Sequence, residues 1–353
     1  MKAMHGGNVL EVSRKYGLDP GDIIDFSSSM NDFAIIPEPS EIFTRESIGI
    51  YPGDDSLLKE KLAGYSNVEQ SMVLPGPGLS YFIYKLADIY SGKRIGIMTP
   101  AFSEYSRAFE AYGSRIARFT NDKTDMMKKM AGRKELDLIC ITRPESPVGN
   151  IMEEHEVTGL LEICRENGLN LFIDEAFFDF LEPSKRKLSE YLVKSYSNVI
   201  LGRSLTKIFS TPSIRAGYLI SSSENLQRFS KRMEPWTLGK PVIDFFLKAR
   251  FEDIPEWVEK MSLERRRLIS GIRSLGFEIL GNPSANYMTV KSPGGINLLD
   301  MDERLKRKGI LIRLLEDFEG LGREYFRISV KRRDKNERLL SEIREYMAEA
   351  GQR

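Results

Sequence analysis

Three segments of the 353-residue chain place chemically useful groups directly after apolar runs. Asp174 ends the run NLFID, Lys207 follows NVILGRSLT, and the loop from Pro75 to Gly78 ends SMVL and opens a helical pattern. A lysine amine forms a Schiff base with an aldehyde and, once displaced, serves as a general base. A glycine-bearing loop at a helix N-terminus offers free backbone N–H groups to a phosphate.

Taken singly, each feature has an ordinary explanation. A GPG loop is a plain turn, an acid after a strand caps a helix or joins an ion pair, and most lysines lie at the surface. Together they are the groups that a pyridoxal phosphate site needs. In such a site Asp174 pairs with the pyridine nitrogen, so that the ring accepts electrons from a bond broken at Cα. The hydroxyl residues around Lys207, and Arg215 eight residues later, hold the phosphate.

From about residue 70 the sequence alternates short β-rich runs with helical patterns. SMVLPG precedes LSYFIYKLADIYS, RIGIMTP precedes SEYSRAFEAYG, and LDLICITRP precedes EEHEVTGLLEICRENG. This alternation predicts an α/β fold with a mainly parallel sheet that is flanked by helices. Ligands on such sheets usually bind beyond the carboxyl ends of the strands.

The pattern changes near residue 230, which predicts a smaller C-terminal unit. IPEWVEKMSLERRRLISGIRSLG is typical of a long amphipathic helix closed by Gly276, and short β-rich runs and a last helix follow. We therefore divide the chain into an irregular N-terminal arm and active-site rim (1–45), a large cofactor-binding domain (46–235) and a small α+β domain (236–353).

Composition and charge narrow the class of protein. A net charge of +1 gives no electrostatic support to a nucleic-acid or membrane partner. No apolar run approaches the roughly 20 residues that span a bilayer, and the N-terminus lacks the apolar core of a secretion signal, so we expect a cytoplasmic protein. Cys140 and Cys164 are expected to be buried free thiols. Two cysteines and two histidines without close spacing do not support a zinc site.

Several motifs resemble those of fold-type I pyridoxal-phosphate enzymes, in the branch of histidinol-phosphate aminotransferase and threonine-phosphate decarboxylase. The resemblance covers essentially the whole chain and implies a seven-stranded type of sheet. SLTK followed by SIRAGY is similar to the cofactor-lysine segment, which implies Lys207 as the Schiff-base residue with Ser204 and Arg215 on the phosphate. DEAF resembles the aspartate motif, which implies Asp174 at the pyridine nitrogen.

The same resemblance implies further cofactor-binding residues. TPAFSEY is similar to the stacking segment, with Phe102 over the ring and Tyr105 nearby. YPGDDSLLKEKLA resembles the segment whose tyrosine, here Tyr51, reaches the phosphate of the neighbouring subunit, which implies a homodimer. PGPGLS stands where the family has its phosphate loop, and the implied donors there are Gly78, Leu79 and Ser80.

Four segments, from the N-terminus, the middle and the C-terminal part of the chain, resemble threonine-phosphate decarboxylase in particular. They are HGGN from His5, IDFSSSMN, ILIR ending at Arg313, and Phe177 in DEAFFDF, where the aminotransferases usually have tyrosine. The resemblance implies that Arg313 binds a substrate phosphate with help from His5, and that Arg327 in YFRISV binds the α-carboxylate. HGGN is also consistent with a plain N-terminal turn. The implied reaction is decarboxylation of L-threonine O-3-phosphate for cobalamin synthesis.

One motif departs from the family pattern. PESPVG replaces the usual NNPTG, so that Ser146 stands in place of the asparagine that donates to the cofactor's 3′-oxygen, and Glu145 replaces the other asparagine. The change bears on catalytic tuning more than on cofactor binding. Two alternatives therefore stay open: a histidinol-phosphate aminotransferase or related class I/II aminotransferase, and a cofactor-binding relative with little turnover.

Overall fold

The computed structural model describes residues 6–120 and 136–350. The strands, in chain order, are β1 (Ile24–Asp25), β2 (Val73–Gly76), β3 (Arg94–Thr99), β4 (Arg115–Thr120), β5 (Leu138–Thr142), β6 (Asn170–Glu175), β7 (Val199–Ser204), β8 (Gly217–Ser221), β9 (Glu278–Ile279), β10 (Tyr287–Lys291), β11 (Ile310–Leu311), β12 (Arg313–Leu314) and β13 (Tyr325–Ser329).

The helices of the described residues follow the same numbering in chain order. They are α1 (Val9–Tyr16), α2 (Pro39–Ile42), α3 (Arg45–Gly49), α4 (Ser56–Ser66), α5 (Leu79–Ile89), α6 (Glu104–Ala111), α7 (Glu154–Glu166), α8 (Pro183–Ser195), α9 (Leu205–Ile208), α10 (Ser223–Ser230), α11 (Lys240–Lys248), α12 (Ile254–Ser274), α13 (Leu298–Arg307) and α14 (Arg333–Ala350).

A seven-stranded sheet with the order β2-β8-β7-β6-β5-β3-β4 forms the centre of the fold. Strand β8 runs antiparallel to both of its neighbours, and the other adjacent strands are parallel. The predicted α/β fold with a mainly parallel, seven-stranded sheet is therefore confirmed. Strand β8 runs antiparallel to β7 because the connection between them contains only the short helix α9. A parallel neighbour would need a longer crossover connection, usually through a full helix.

The central strands are apolar throughout because both of their faces are covered. Successive residues of a strand point to opposite faces of a sheet. Accordingly Ile139 and Ile141 belong to one buried cluster while Leu138 and Cys140 belong to another. The second cluster contains residues of α5, α6 and α10, and the first contains residues of α4, α7 and α8. Two cores therefore fix the sheet from above and below, and leave its strand ends for chemistry.

The C-terminal part builds a four-stranded antiparallel sheet with the order β12-β13-β10-β9. The predicted long helix is present as α12, and Gly276 follows it with φ 83°. The N-terminal segment joins this part of the molecule, since β1 pairs in parallel with β11. The domain limits at residues 45 and 235 stay a prediction.

The expectation of an irregular N-terminal arm is wrong for several short stretches, which are α1, β1 and α2. Residues Val9–Tyr16 form a two-turn helix that ends at Gly17, which has φ 67°. Its side chains at Val12 and Tyr16 are spaced for one helix face, but a pattern of two turns is too short to predict with assurance.

The helices and the polar side chains of the described ranges bear on the type of site. None of the helices there has both the length and the apolar character required to cross a bilayer. Within residues 6–120 and 136–350, no cluster of three or more His, Cys, Asp or Glu side chains is arranged to hold a metal ion.

Candidate active site

A cavity of about 240 Å³ lies where the parallel strands β5, β6 and β7 end. Its lining contains most of the side chains that the sequence predicted for the site. Among the residues that line it are Leu79, Ser80, Phe102, Ser146, Asp174, Ser204, Lys207, Arg215, Arg313 and Arg327. Residues far apart in sequence are thus brought to one place, as the strand-end argument predicted.

Two predicted residues, Gly78 and Tyr51, do not line this cavity, and a third cannot be placed. Gly78 lies next to it: a Cβ atom at this position would be 3.1 Å from Nη2 of Arg215. Tyr51 is 75% exposed, and its ring centroid lies 4.5 Å from that of Trp236. His5 lies outside the described residues, although the adjacent Gly6 lines the cavity.

Lys207 lies on the short helix α9, immediately after β7, and is half-buried. Its carbonyl oxygen accepts a hydrogen bond of 3.0 Å from the N–H of Asn31. The pKa of Lys207 is lowered to about 8, chiefly by burial and also by the positive charges of Arg327 and Arg215, while the Asp174 carboxylate acts in the opposite direction. A substantial fraction of the amine is therefore neutral near physiological pH, which is the form that acts as nucleophile or base.

Asp174 is buried at the end of β6, and both of its carboxylate oxygens are held. The Tyr105 hydroxyl donates a hydrogen bond of 2.8 Å to Oδ2, and the N–H of Ala176 donates one of 2.8 Å to Oδ1. Burial raises the pKa of Asp174 to about 6, although both hydrogen bonds and the Lys207 charge act in the opposite direction. The group is mainly ionised at neutral pH and can pair with a cationic ring nitrogen.

An anion-binding corner lies at the N-terminus of α5. Gly78 is its N-cap, and no side chain of the described residues caps it, so the first backbone N–H groups are available. Strand β8 approaches this turn closely: a Cβ on Gly217 would lie 2.6 Å from the Arg203 carbonyl oxygen and 3.2 Å from the Leu79 nitrogen. With the Arg215 guanidinium beside Gly78, this backbone cradle suits a phosphate group.

Two arginines from the small C-terminal sheet also line the cavity. Arg313 on β12 and Arg327 on β13 are direct partners across the antiparallel pair, so their side chains share one face of the small sheet. Nη2 of Arg327 donates to the Ser27 carbonyl oxygen at 3.3 Å, and its Nε is buried without a hydrogen-bond partner among the described residues. Burial lowers the pKa of Arg327 to about 10, yet it stays cationic at neutral pH. The pair provides two binding points for anions.

The segment that departs from the family pattern forms another part of the wall. The N–H of Ser146 donates to Oγ1 of Thr142 at 3.1 Å, and both residues line the cavity. Phe177 also lines the cavity, with its ring centroid 4.7 Å from that of Tyr287 in an edge-to-face contact. The Tyr287 hydroxyl already donates a hydrogen bond within the protein, to the Glu145 carbonyl oxygen at 2.9 Å. Hydroxyl groups rather than an asparagine amide thus occupy this wall.

Sequence reasoning assigned no role to the serine run after β1. Ser27, Ser28 and Ser29 line the cavity. Oδ1 of Asp25 accepts hydrogen bonds from the N–H and hydroxyl of Ser27 at 2.8 and 2.5 Å, and the Gly7 N–H donates to the Ser27 hydroxyl at 2.8 Å. The motif IDFSSSMN was visible, but its contact with Arg327 spans 300 residues and leaves no local signal.

Residues 22–343 match the family model for aminotransferase class I and II. The chain belongs to this family. Its members use pyridoxal phosphate, and the chain is accordingly a pyridoxal-phosphate-dependent enzyme of the aminotransferase or decarboxylase type.

Similar proteins come from both reaction types. The chain is 27% identical to threonine-phosphate decarboxylase from Salmonella typhimurium, over 96% of this chain and 95% of that protein. It is 28% identical to histidinol-phosphate aminotransferase from Methanocella arvoryzae, over 96% and 94% of the two chains. The structure of histidinol-phosphate aminotransferase from Sinorhizobium meliloti in complex with pyridoxal-5′-phosphate has a TM-score of 0.84 and 17% identity, and covers 98% of this chain and 95% of that one. This last likeness shows the shared fold.

Proposed function

We propose that the protein is a pyridoxal-phosphate-dependent decarboxylase of a phosphorylated amino acid, with L-threonine O-3-phosphate as its substrate in cobalamin synthesis. The observation that carries the proposal is the pairing of Arg313 with Arg327 in the cavity that also holds Lys207. Two guanidinium groups suit a substrate that has two anionic groups, a phosphate and an α-carboxylate. The similarity to the Salmonella typhimurium decarboxylase supports the same choice.

The residues present fit the cofactor. In this proposal Lys207 carries it covalently, Asp174 pairs with the pyridine nitrogen, and Phe102 covers the face of the ring. The uncapped N-terminus of α5, which the close approach of Gly217 keeps in place, suits the phosphate. The other phosphate donors are Gly78, Leu79, Ser80, Ser204 and Arg215, and Ser146 stands by the 3′-oxygen. When bound, the cofactor accepts the electron pair of the bond broken at Cα.

The chain's own side chains then orient the substrate and move one proton. Arg313 binds the substrate phosphate, with His5 as a further contact, and Arg327 binds the α-carboxylate. Held at these two points, the substrate would present its Cα–carboxylate bond for cleavage, with CO₂ as the leaving group and the bonding electron pair retained on the Cα side. Lys207, with a pKa of about 8, is protonated often enough to return a proton to Cα.

A homodimer is part of the proposal. Tyr51 lies outside its own cavity and in the same part of the sequence as many exposed apolar side chains. These are Ile35, Ile36, Phe43, Ile48, Ile50 and Leu57, together with Trp236, whose ring contacts that of Tyr51 at a tilt of 34°. Exposed apolar residues in such number are typical of a protein interface. Tyr51 of each chain would reach the cofactor phosphate of the neighbouring subunit.

We also place the protein in the cytoplasm. Cys140 and Cys164 are buried free thiols, and burial raises the pKa of Cys164 to about 12. Thiols kept in the reduced form suit a reducing compartment.

Transamination of histidinol phosphate is the second candidate. The 28% identity to the Methanocella arvoryzae aminotransferase favours it, and both reactions use the same lysine, aspartate and phosphate corner. Lys207 would then move a proton between Cα and the cofactor's C4′. A cofactor-binding relative with little turnover is the third, and Ser146 in place of the family's asparagine is the reason to keep it.

Three measurements test the proposal in order. Incubation with pyridoxal phosphate should give a visible absorption band that Lys207→Ala abolishes and Lys187→Ala, an exposed lysine on α8, retains. L-threonine O-3-phosphate should then release CO₂. Histidinol phosphate with 2-oxoglutarate should give no glutamate. Glutamate without CO₂ would establish the second candidate, and a band without either product would favour the third.

A further inference from the structure

Arg313 already has an anionic partner inside the protein. Its Nη2 lies 2.6 Å from Oδ2 of Asp317, four residues along the chain, and its Nη1 donates to the Leu314 carbonyl oxygen. The Arg313 side chain is buried, whereas that of Asp317 is 31% exposed. The ring centroid of Phe318, which lines the main cavity, lies 5.4 Å from the guanidinium carbon. The binding face of Arg313 is therefore shared with a carboxylate at the edge of the cavity.

Arg327 is in a different state, although it stands directly opposite Arg313 in the sheet. Within the described residues it forms no ion pair: its Nη2 donates to the Ser27 carbonyl oxygen at 3.3 Å and its guanidinium lies 5.2 Å from the Tyr287 ring centroid, while the carboxylates of Asp25 and Asp317 act on it only as nearby charges. One arginine of the pair is thus neutralised at contact distance and the other is not. The two binding points differ in what an incoming anion must replace.

We propose that Asp317 determines specificity by reserving Arg313 for a phosphate group and denying it to the side-chain carboxylate of a dicarboxylic amino acid. The inference rests on the proposed function, in which Arg313 receives the substrate phosphate. It adds a reason why this site takes a phosphorylated amino acid and rejects glutamate.

The physical argument compares the charges of the competing anions. A carboxylate that reaches Arg313 exchanges one monoanion for another, so it gains almost nothing over leaving the Asp317 pair intact. A phosphate monoester carries close to two negative charges at neutral pH and three acceptor oxygens. It binds the guanidinium more strongly than a carboxylate does and can displace Asp317. A decarboxylase meets no dicarboxylate in its reaction, whereas glutamate is the amino donor that regenerates 2-oxoglutarate-dependent aminotransferases.

The position of Asp317 suits such a replacement. It lies between β12 and β13 in a segment that includes Gly320 with φ 83°. The buried Leu315 anchors this segment before Asp317, and after it Glu319 forms an exposed ion pair of 3.1 Å with Arg118 on β4. The partly exposed Asp317 side chain can turn to water while its backbone remains in place.

The test measures binding rather than turnover. The protein loaded with pyridoxal phosphate is mixed with one ligand of a matched pair, and the change in the cofactor's visible absorption is followed by stopped flow before any product forms. The pairs are L-glutamate with L-glutamine, and L-threonine O-3-phosphate with L-threonine. The variants are Asp317→Asn, Asp317→Glu as a charge-preserving control, and Glu316→Gln, whose neighbouring carboxylate is also 31% exposed but pairs with Arg323.

In the wild type, glutamate and glutamine should bind within about twofold of each other, and threonine phosphate should bind far more tightly than threonine. Asp317→Asn should bind glutamate about tenfold more tightly than glutamine, and should bind threonine phosphate more tightly than the wild type does, because the competing carboxylate is gone. Asp317→Glu and Glu316→Gln should keep the wild-type ratios.

Two results would overturn the inference. Weaker binding of threonine phosphate by Asp317→Asn would mean that Asp317 only positions Arg313. A wild type that already prefers glutamate to glutamine tenfold would mean that Asp317 does not exclude carboxylates. Failure of the proposed function is seen separately: with the expected binding ratios but no CO₂, the reaction is wrong and the role of Asp317 stands.

Discussion

The hydroxyl of Tyr105 lies 2.8 Å from Oδ2 of Asp174 and donates a hydrogen bond to it in the buried end of the central sheet. Tyr105 comes from α6, whereas Asp174 ends β6, so the contact joins a covering helix to the site. Burial alone favours the protonated carboxyl, and the phenol and the Ala176 N–H oppose that effect. The phenol therefore helps keep ionised the group that must pair with a cationic ring.

Replacement of Tyr105 by phenylalanine should raise the pKa of Asp174 above its value of about 6, since one donor to the carboxylate is lost. We expect kcat/KM to fall about tenfold at pH 6 and less at pH 8, where the carboxylate stays ionised in both proteins. The pH–rate profile of Tyr105→Phe checks this. Tyr112→Phe, which removes an exposed hydroxyl at the end of α6, should leave the profile unchanged. If the acid limb of the pH–rate profile is unshifted in Tyr105→Phe, the Tyr105 side chain contributes packing alone and does not tune Asp174.

Asp174 should also lower the free energy of unfolding of the cofactor-free protein, by an amount that depends on pH. Its folded pKa of about 6 exceeds the unfolded value of about 3.9, so between these pH values the folded state binds more protons than the unfolded state. Stability therefore falls as the pH rises from 4 to 6. Asp174→Asn should match the wild type near pH 4 and exceed it by about 2–3 kcal/mol at pH 7, with loss of catalysis.

Denaturant unfolding of the cofactor-free proteins at both pH values measures this difference. Glu60→Gln, on the exposed side of α4, serves as the control and should give the same small difference at each pH. A stability gap between Asp174→Asn and the wild type that is independent of pH would contradict the linkage argument.

The sheet and the cofactor corner could be predicted because their signals are local. Apolar runs mark strands that are buried on both faces, and the polar residue after each run marks a strand end. For this reason the sequence alone predicted that Asp174, Lys207 and Arg215 lie near one edge of the sheet. The roles assigned to them remain proposals, whereas their placement around one cavity is a finding.

Other parts of the site had no local signal. The contact of Ser27 with Arg327 depends on how two ends of the chain fold together. Asp317 resembles any acid in a polar loop until its 2.6 Å contact with Arg313 is known. The helix α1 was missed because two turns give too few apolar positions to establish a period.

Gly217 should be required for cofactor binding because of space and not backbone freedom. A Cβ there would lie 2.6 Å from the Arg203 carbonyl oxygen and 3.2 Å from the Leu79 nitrogen, so Gly217→Ala must push β8 away from the N-terminus of α5. We expect a more than tenfold loss in pyridoxal phosphate affinity and a stability loss of about 1–3 kcal/mol. The control is Gly64→Ala in the exposed face of α4, where an added Cβ would have no atom within 4 Å. This variant should raise the free energy of unfolding by about 0.5–1 kcal/mol and leave the affinity for pyridoxal phosphate unchanged.

The buried ion pair of Glu175 and Arg203 should be needed for folding. Nε of Arg203 lies 2.9 Å from Oε2 of Glu175 on the adjacent strand, and the two side chains are 4% and 0% exposed. The Arg203 guanidinium also lies 3.6 Å from the Phe178 ring centroid. Glu175→Gln leaves a buried charge unpaired and should cost about 3–5 kcal/mol in denaturant unfolding. Glu190→Gln breaks an exposed pair with Lys194 and should cost far less, because water and salt screen that pair. Equal costs for the two variants would refute the distinction.

Tyr51 allows a decisive test of the proposed dimer. Its side chain is 75% exposed and lies outside the cavity of its own chain. Lys207→Ala and Tyr51→Ala should each be nearly inactive alone. When the two variants are unfolded together and refolded in equal amounts, about half of the dimers are mixed. If Tyr51 serves the partner's site, each mixed dimer has one intact site, and about a quarter of the wild-type activity returns. If Tyr51 serves its own chain, every site carries a defect and no activity returns, so the proposed role in the neighbouring subunit would be wrong.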